Sequence, residues 1–289
     1  YFLVMNKEII NKSMFKGAAL KHLQKKEFKD IDISIPPRAE QERIVAKLDA
    51  AFAEIDRAVE DNKSKLDACN TLANNTISNI LKKFQRQNST NTLLGEVTYT
   101  SGRIGWKGLT KKEYVDQGYV FLSVHGLNYG KFVDFRDAFR ITKERFEESP
   151  EIMLEQGDVL LCKDGAGIGK LAIVNSLEEP ATINSSLLLI RPNESLCSEY
   201  LYYYLLASEF QSLIHAKIDG ATTPHLYQRD IKNLPITFPS AELQKEAVSE
   251  IEAALHKVET IRSTGSKNIT NYLALKSAIL AQELQSSEA

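Results

Sequence analysis

The chain has 289 residues, 43% of them hydrophobic and 26% charged, with a net charge of −2. Those proportions exclude a collagenous or charge-driven disordered chain, and no apolar run approaches the roughly 18 residues of a membrane helix. Cys69, Cys162 and Cys197 have no paired spacing, so neither a disulfide framework nor a Cys-rich zinc site is expected, and a reducing cytoplasm is the default location.

In chain order, residues 1–16 read as the end of a helix, Gly17 as the start of a loop and residues 22–29 as a short helix. Residues 31–35 alternate like an edge strand, which Pro36-Pro37 stops. From Ala39 to Phe84 there is neither Pro nor Gly, and Val45, Leu48, Phe52, Ile55, Val59, Leu66, Cys69, Ala73 and Ile80 share one heptad frame. The spacing predicts a long amphipathic helix, about 65–70 Å at 1.5 Å per residue. Asn62 and Thr76 lie on the same stripe, either as local irregularities or as a register lock. Residues 85–93 read as a polar linker.

Residues 94–240 read as a globular α/β domain, with strands at 94–99, 119–124, 158–163, 170–174, 182–190 and 234–238 and helices at 143–147, 198–215 and 226–231. A second long helix is expected from 241 to 284, with Val248, Ile251, Leu255, Val258, Ile269, Tyr272 and Ile279 on its stripe. Residues 263–266 (Ser-Thr-Gly-Ser) predict a kink or fraying within it.

The chain also repeats itself. Residues 1–52 align without a gap on residues 204–255, an offset of 203, with thirteen identities that include Gly17 on Gly220, His22 on His225, Pro36 on Pro239 and Gln41 on Gln244. A repeat this long is a duplicated domain with its helix, not a solenoid unit. The first copy opens inside the repeated domain, so an intact copy is expected to begin upstream of Tyr1. The resulting organisation is a domain remnant at 1–38, a helix and linker at 39–91, a domain at 92–240 and a second helix at 241–289. The heptad stripes predict an antiparallel coiled-coil pair, and the fold class is α+β.

The chemistry-bearing clusters fall in loops. Residues 101–109 pack three glycines, Arg103, Lys107 and the sole tryptophan, Trp106, after a strand, with Lys111 and Lys112 beyond. This is either a loop whose Trp plugs the core or a recognition loop in which Arg pairs with guanine and Lys with phosphate. Residues 165–170 (Gly-Ala-Gly-Ile-Gly-Lys) have neither dinucleotide-binding nor P-loop spacing, and the apolar run after them is a strand. They read as a turn with Lys163, Asp164 and Lys170 at its tips. Residues 219–230 join a glycine loop to a helix start, where Thr222 and Thr223 are either caps or DNA contacts, His225 is either a structural histidine or a contact, and Gln228 and Arg229 are further candidate contacts. His125 and Asn128 follow a strand as further candidates. No nucleophile–base set, metal-ligand spacing or cofactor loop emerges. Residues 92–240 carry 15 Lys/Arg against 19 Asp/Glu, net −4, so DNA contact would need local basic clusters on an acidic body.

Several phrases resemble the specificity subunits of type I restriction–modification systems: residues 103–109 (Arg-Ile-Gly-Trp-Lys-Gly-Leu), 149–154 (Ser-Pro-Glu-Ile-Met-Leu), 157–161 (Gly-Asp-Val-Leu-Leu), 224–226 (Pro-His-Leu) and 36–41 (Pro-Pro-Arg-Ala-Glu-Gln). The second copy departs from the last phrase, with Pro239-Ser240-Ala241-Glu242-Leu243-Gln244. The resemblance extends over the whole chain. It implies two target recognition domains that each read half of a split duplex-DNA site, separated by paired spacer helices. It also implies modification and restriction subunits as partners, which bind S-adenosylmethionine, ATP and Mg, while this chain binds no cofactor or metal, is not an enzyme and meets no membrane. A second copy of the chain is a further possible partner. The rival expectation is a protein-binding adaptor that displays an α/β domain on a coiled coil.

Overall fold

The computed structural model describes residues 35–103, 109–218 and 224–285 and, before them, Tyr1, Leu3, Ile10, Phe15–Lys16 and His22–Leu23. It forms two compact units, one from residues 1–71 with 257–289 and one from residues 72–256. Two long helices, α1 (Arg38–Gln85) and α7 (Ala241–Gln285), contribute to both.

In the first unit β1 (Phe15–Lys16) pairs antiparallel with β2 (His22–Leu23). Both segments were expected in helices. Across that pair the backbone groups satisfy one another between strands rather than within a helix. Most of the expected remnant domain lies outside the described residues, including residues 31–34 of the expected edge strand. α1 starts where the Pro37 carbonyl accepts from the amides of Glu40 and Gln41 at 2.9 and 3.0 Å. Glu40 in its first turn and Lys82 and Lys83 in its last complement the helix dipole.

The helix segments of this unit run antiparallel. Lys47 Nζ meets Glu283 Oε1 at 2.6 Å, Lys276 Nζ meets Asp56 Oδ1 at 2.6 Å, and Arg262 Nη2 donates to Asn70 Oδ1 at 2.7 Å. Between them Leu48, Phe52, Ile55, Val59, Cys69, Val258 and Leu280 are buried, while Leu66, Ile269 and Tyr272 are half-buried. Val45, expected on the stripe, is 44% exposed, and Ile44 takes the inward place. The stripe there steps by four, Ile44–Leu48–Phe52, and closes on Leu280. A straight helix of 3.6 residues per turn drifts off a seven-residue frame in this way.

Two further details correct or settle the sequence reading. Asn62 is buried and bonds its own helix, Nδ2 donating to Ala58 O at 2.8 Å, rather than locking a partner. The fraying expected at 263–266 does not occur, and α7 continues through those residues. The Thr264 hydroxyl bonds back to Thr260 O at 2.8 Å, and a Cβ on Gly265 would meet Leu66 Cδ2 at 3.1 Å. The glycine sits where α1 presses closest.

The second unit is built on a four-stranded antiparallel sheet ordered β4 (Thr98–Gly102), β10 (Leu187–Pro192), β7 (Val159–Cys162), β8 (Leu171–Ile173). Strand residues alternate faces. Val159, Leu161, Leu171, Ile173, Leu188 and Ile190 join α4 (Ser198–Leu206), α5 (Ser208–His215) and the ends of the long helices, through Ile77, Leu81, Phe84, Ala247 and Ile251. Leu160, Cys162, Ala172, Leu187 and Leu189 pack toward a second sheet ordered β6 (Phe139–Ile141), β5 (Tyr119–Leu122), β9 (Ala181–Ile183). In that sheet β5 and β9 run parallel.

The single strand expected over 182–190 is therefore two. Asn184 turns the chain between the sheets, its Oδ1 accepting from Ser186 N at 3.1 Å and its carbonyl from Leu187 N at 3.2 Å. The helix expected over 198–215 breaks at extended Ala207. Residues 85–93 are no mere linker, because β3 (Thr90–Leu93) pairs antiparallel with β11 (Pro235–Phe238). Residues 94–97 form a short helix, α2 (Leu94–Val97), where strand was expected, and α3 (Lys143–Glu147) lies at its expected position. The last short helix, α6 (Gln228–Lys232), begins two residues later than expected.

The repeat has a structural counterpart at the starts of the long helices. Gln41 Nε2 donates to Pro36 O at 2.7 Å, and Gln244 Nε2 donates to Pro239 O at 2.9 Å. Gln244 is fully buried. Its Nε2 also donates to Ser195 O at 2.9 Å, and its Oε1 accepts from Cys197 N at 2.8 Å. Replacing Gln244 with Ala should remove the partner of three backbone groups and lower the unfolding free energy by ~2–4 kcal/mol, whereas exposed Gln41→Ala should change it by under ~0.5 kcal/mol. Urea denaturation of the two variants tests the contrast.

Candidate nucleic-acid interface

Four chain segments meet at one end of the four-stranded sheet. β4 reaches it at Gly102, paired with Leu188, and β7 at Cys162, paired with Leu187. Beyond β7, Asp164 forms an antiparallel bridge with His225. Gly165 N donates to Pro224 O at 3.1 Å and Leu226 N to Lys163 O at 2.9 Å, so residues 224–226 lie along residues 163–165 like a short strand. Gln228 at the start of α6 ties the same segment to β4, Nε2 donating to Thr100 O at 2.7 Å.

Residues 165–170 form the expected turn between strands. A Cβ on Gly167 would meet Val124 Cγ1 at 3.2 Å and Cys162 Sγ at 3.3 Å, so the turn lies against the segment that follows β5. Gly169 has φ +89°, a left-handed backbone that favours glycine, and a Cβ there would displace the end of the Gln211 side chain. Lys170 Nζ donates to Asn128 Oδ1 at 2.7 Å. The turn thereby joins Lys170 and Asn128, both exposed, with His125 exposed on the same short stretch as Asn128.

The candidates divide into several groups. His125, Asn128, Lys170, half-buried His225 and Gln228, and exposed Arg229 belong to segments that converge. Arg229 has a side chain 80% exposed, beside Asp230 at 3.4 Å. Lys111 is exposed at the start of a 3-10 turn whose capping box joins Thr110 and Glu113, and no described contact links it to the cluster. Trp106, Lys107, Thr222 and Thr223 lie outside the described residues.

Arg103 and Lys163 turn inward, which corrects their expected role. Arg103 is 3% exposed; its Nε donates to Ile183 O at 3.2 Å, Nη1 to Ser149 Oγ at 3.4 Å, and its guanidinium lies 5.4 Å from the Phe121 ring centroid. Burial, then the positive charge of Arg145, lowers its pKa, against the opposing pull of Glu148 and Glu151. Past the edge of β4 the space between the sheets offers acceptors that draw the side chain in. Lys163 is buried too, its Nζ held by Asp164 Oδ2 at 3.0 Å. Asp164, absent from the sequence-based candidates as a contact, is the residue that holds both Lys163 and His225. Its partners stand next to it and 61 positions away, and only the first could be seen in the sequence.

Among the described residues, no group of three or more His, Cys, Asp or Glu side chains is placed to hold a metal, and no helix is long and apolar enough to cross a membrane. The site is a set of irregular loops with exposed polar and cationic tips at the end of a doubly covered sheet.

The family model of the type I restriction modification DNA specificity domain matches residues 1–68 and 94–271, and the chain belongs to that family. It is similar to the type I restriction enzyme MjaVIII specificity subunit of Methanocaldococcus jannaschii, 22% identical over 282 residues, covering 91% of this chain and 64% of the relative. It is also 22% identical to the EcoBI specificity subunit of Escherichia coli over 302 residues, covering 92% of this chain and 60% of that one. The chain thus spans less than two thirds of the length of these relatives. In fold it resembles a structure of a type I restriction–modification system with a TM-score of 0.75 at 20% identity, covering 98% of this chain and 68% of the other. The HsdS subunit of Thermoanaerobacter tengcongensis matches with a TM-score of 0.58 at 19% identity and the same coverage.

Arg103→Ala is expected to act first on stability. Loss of two interior hydrogen bonds and the ring contact should cost ~1–3 kcal/mol in chemical denaturation. A variant as stable as the original protein would place the guanidinium back in solvent.

Proposed function

We propose that the chain is the DNA-recognition part of a type I specificity subunit, reading one half of a split duplex site through the loops at the end of its sheet. The observation that supports this most is the match of the DNA specificity family to both parts of the internal repeat, residues 1–68 and 94–271. Convergence of Lys170, Asn128, His225, Gln228 and Arg229 on one end adds a surface of suitable chemistry, with cations for phosphates and amide and imidazole groups for base edges. Residues 92–240 form the recognition domain in this reading, residues 1–38 the end of another, and α1 and α7 the spacer. The second half-site is read by a second domain, upstream in the same polypeptide or on another copy of the chain, in the latter case giving a two-fold arrangement and a palindromic site.

The chain itself is non-catalytic in this proposal. Modification subunits dock on it and methylate DNA with S-adenosylmethionine, and restriction subunits add ATP- and Mg-dependent cleavage, in the cytoplasm. The rival reading, a protein-binding adaptor, draws on the net −4 charge of residues 92–240. Selection from random duplexes by the chain assembled with its modification subunits separates the two. A split motif, bound with an affinity that falls linearly in log–log fashion with salt, is expected; enrichment of no motif would leave the adaptor. The purified chain alone should show no methyl transfer or nicking.

The helix pair should set the gap in the motif. Four residues, about one turn or 6 Å, inserted beside Leu66 in α1 and again beside Gly265 in α7 should lengthen the gap by about two base pairs and leave both half-site sequences intact. Sequencing of methylated sites in cells carrying this variant reads the outcome, and an unchanged gap would refute the spacer role.

A further inference from the structure

At the converging end of the sheet, one carboxylate is shared between two different cations-in-waiting. Asp164 Oδ2 takes the buried Lys163 Nζ at 3.0 Å, and Oδ1 meets His225 Nδ1. The same two residues, Asp164 and His225, also form the backbone bridge, flanked by the bonds from Gly165 N to Pro224 O at 3.1 Å and from Leu226 N to Lys163 O at 2.9 Å. The imidazole is therefore fixed from both the main chain and the side chain. The ring of Tyr227 meets it edge-on at 4.5 Å and limits its rotation. The His225 side chain remains 32% exposed, and no described residue bonds its Nε2.

A partner on one imidazole nitrogen decides what the other can do. A carboxylate only accepts, so the neutral ring must place its proton on Nδ1 and leave a lone pair on Nε2. The exposed edge of His225 is then an acceptor. Phosphate oxygens are acceptors as well and gain nothing from it. In the major groove the donors are the exocyclic amino groups, N6 of adenine and N4 of cytosine.

We propose that His225 reads one base of the half-site by accepting a hydrogen bond from the amino group of an adenine or cytosine, and that Asp164 is the positioning residue that fixes its tautomer. The proposal rests on the DNA-recognition reading above. Lys163 has its own part in it. By neutralising the second carboxylate oxygen inside the fold, it lets an acidic side chain stand beside DNA with little repulsion of the phosphates. Neither Asp164 nor Lys163 needs to touch the duplex.

Two measurements test it. Nitrogen-15 NMR of the full chain without DNA, above the ordinary histidine titration range, should show His225 with its proton on Nδ1. Asp164→Ala should move the proton to Nε2, and Asp164→Asn, whose Oδ1 still accepts, should leave it on Nδ1. An Nε2 proton in the original protein would overturn the proposal. The second measurement is motif selection by the assembled complex. Asp164→Ala and His225→Ala should each relax the same single position by roughly fivefold or more, with the other positions and the salt dependence unchanged, and Asp164→Asn should restore the preference. A uniform loss of affinity with a shallower salt dependence would mean a phosphate contact, and an unaltered motif in both alanine variants would mean a structural pair; either result overturns the proposal alone. Failure of the unaltered complex to select any motif would instead bring down the DNA-recognition reading, and this proposal with it.

Discussion

The central constraint on the second unit is that its four-stranded sheet is covered on both faces. Every residue of Leu187–Ile190 is fully buried, odd positions toward the second sheet and even positions toward the helices. Burying four such side chains stabilises the fold by ~1.5–3 kcal/mol each, and that only if both layers are present. One layer includes Ile77, Leu81 and Phe84 of α1 and Ala247 and Ile251 of α7. These stretches of the long helices are therefore part of the domain core rather than an attachment to it. With the core secured in this way, the segments at the end of the sheet are free to be irregular, and that is where Gly165, Gly167 and Gly169 and the exposed cations lie.

Periodicity revealed the long helices because their stripes are uninterrupted and no Pro or Gly occurs between Ala39 and Phe84. It failed where tertiary contacts override local pattern. Thr90–Leu93 is too polar to announce a strand, yet it is fully paired with Pro235–Phe238, a partner from the far end of the domain. Residues 182–190 look like one buried strand because two adjacent strands are apolar on both faces, and Asn184 is a small signal for a change of sheet. Gly265 reads as a helix breaker in one dimension, and only the facing Leu66 shows why it is there.

The candidate site was legible in kind more than in detail. Glycine loops and cations drew notice to residues 163–170 and 224–229, and the structure brings these together. Whether a cation faces water or the interior is not encoded in its neighbours along the chain. Arg103 and Lys163 are held by Ser149, Ile183 and Asp164 through the packing of the second sheet and the edge of β7. The Asp164–His225 pair was invisible for the same reason, since its register depends on the path of the chain between two residues 61 positions apart.

The Gln244 amide hydrogen-bonds three main-chain atoms: the carbonyls of Ser195 and Pro239 and the amide of Cys197. Such a latch responds to the course of the backbone and is indifferent to the residue types that follow it. A domain with altogether different surface loops, provided its chain passes those three points in the same way, would lock onto the same helix start. The junction thus behaves as a standard fitting, at which one domain can be exchanged for another without redesign of the helix that follows it.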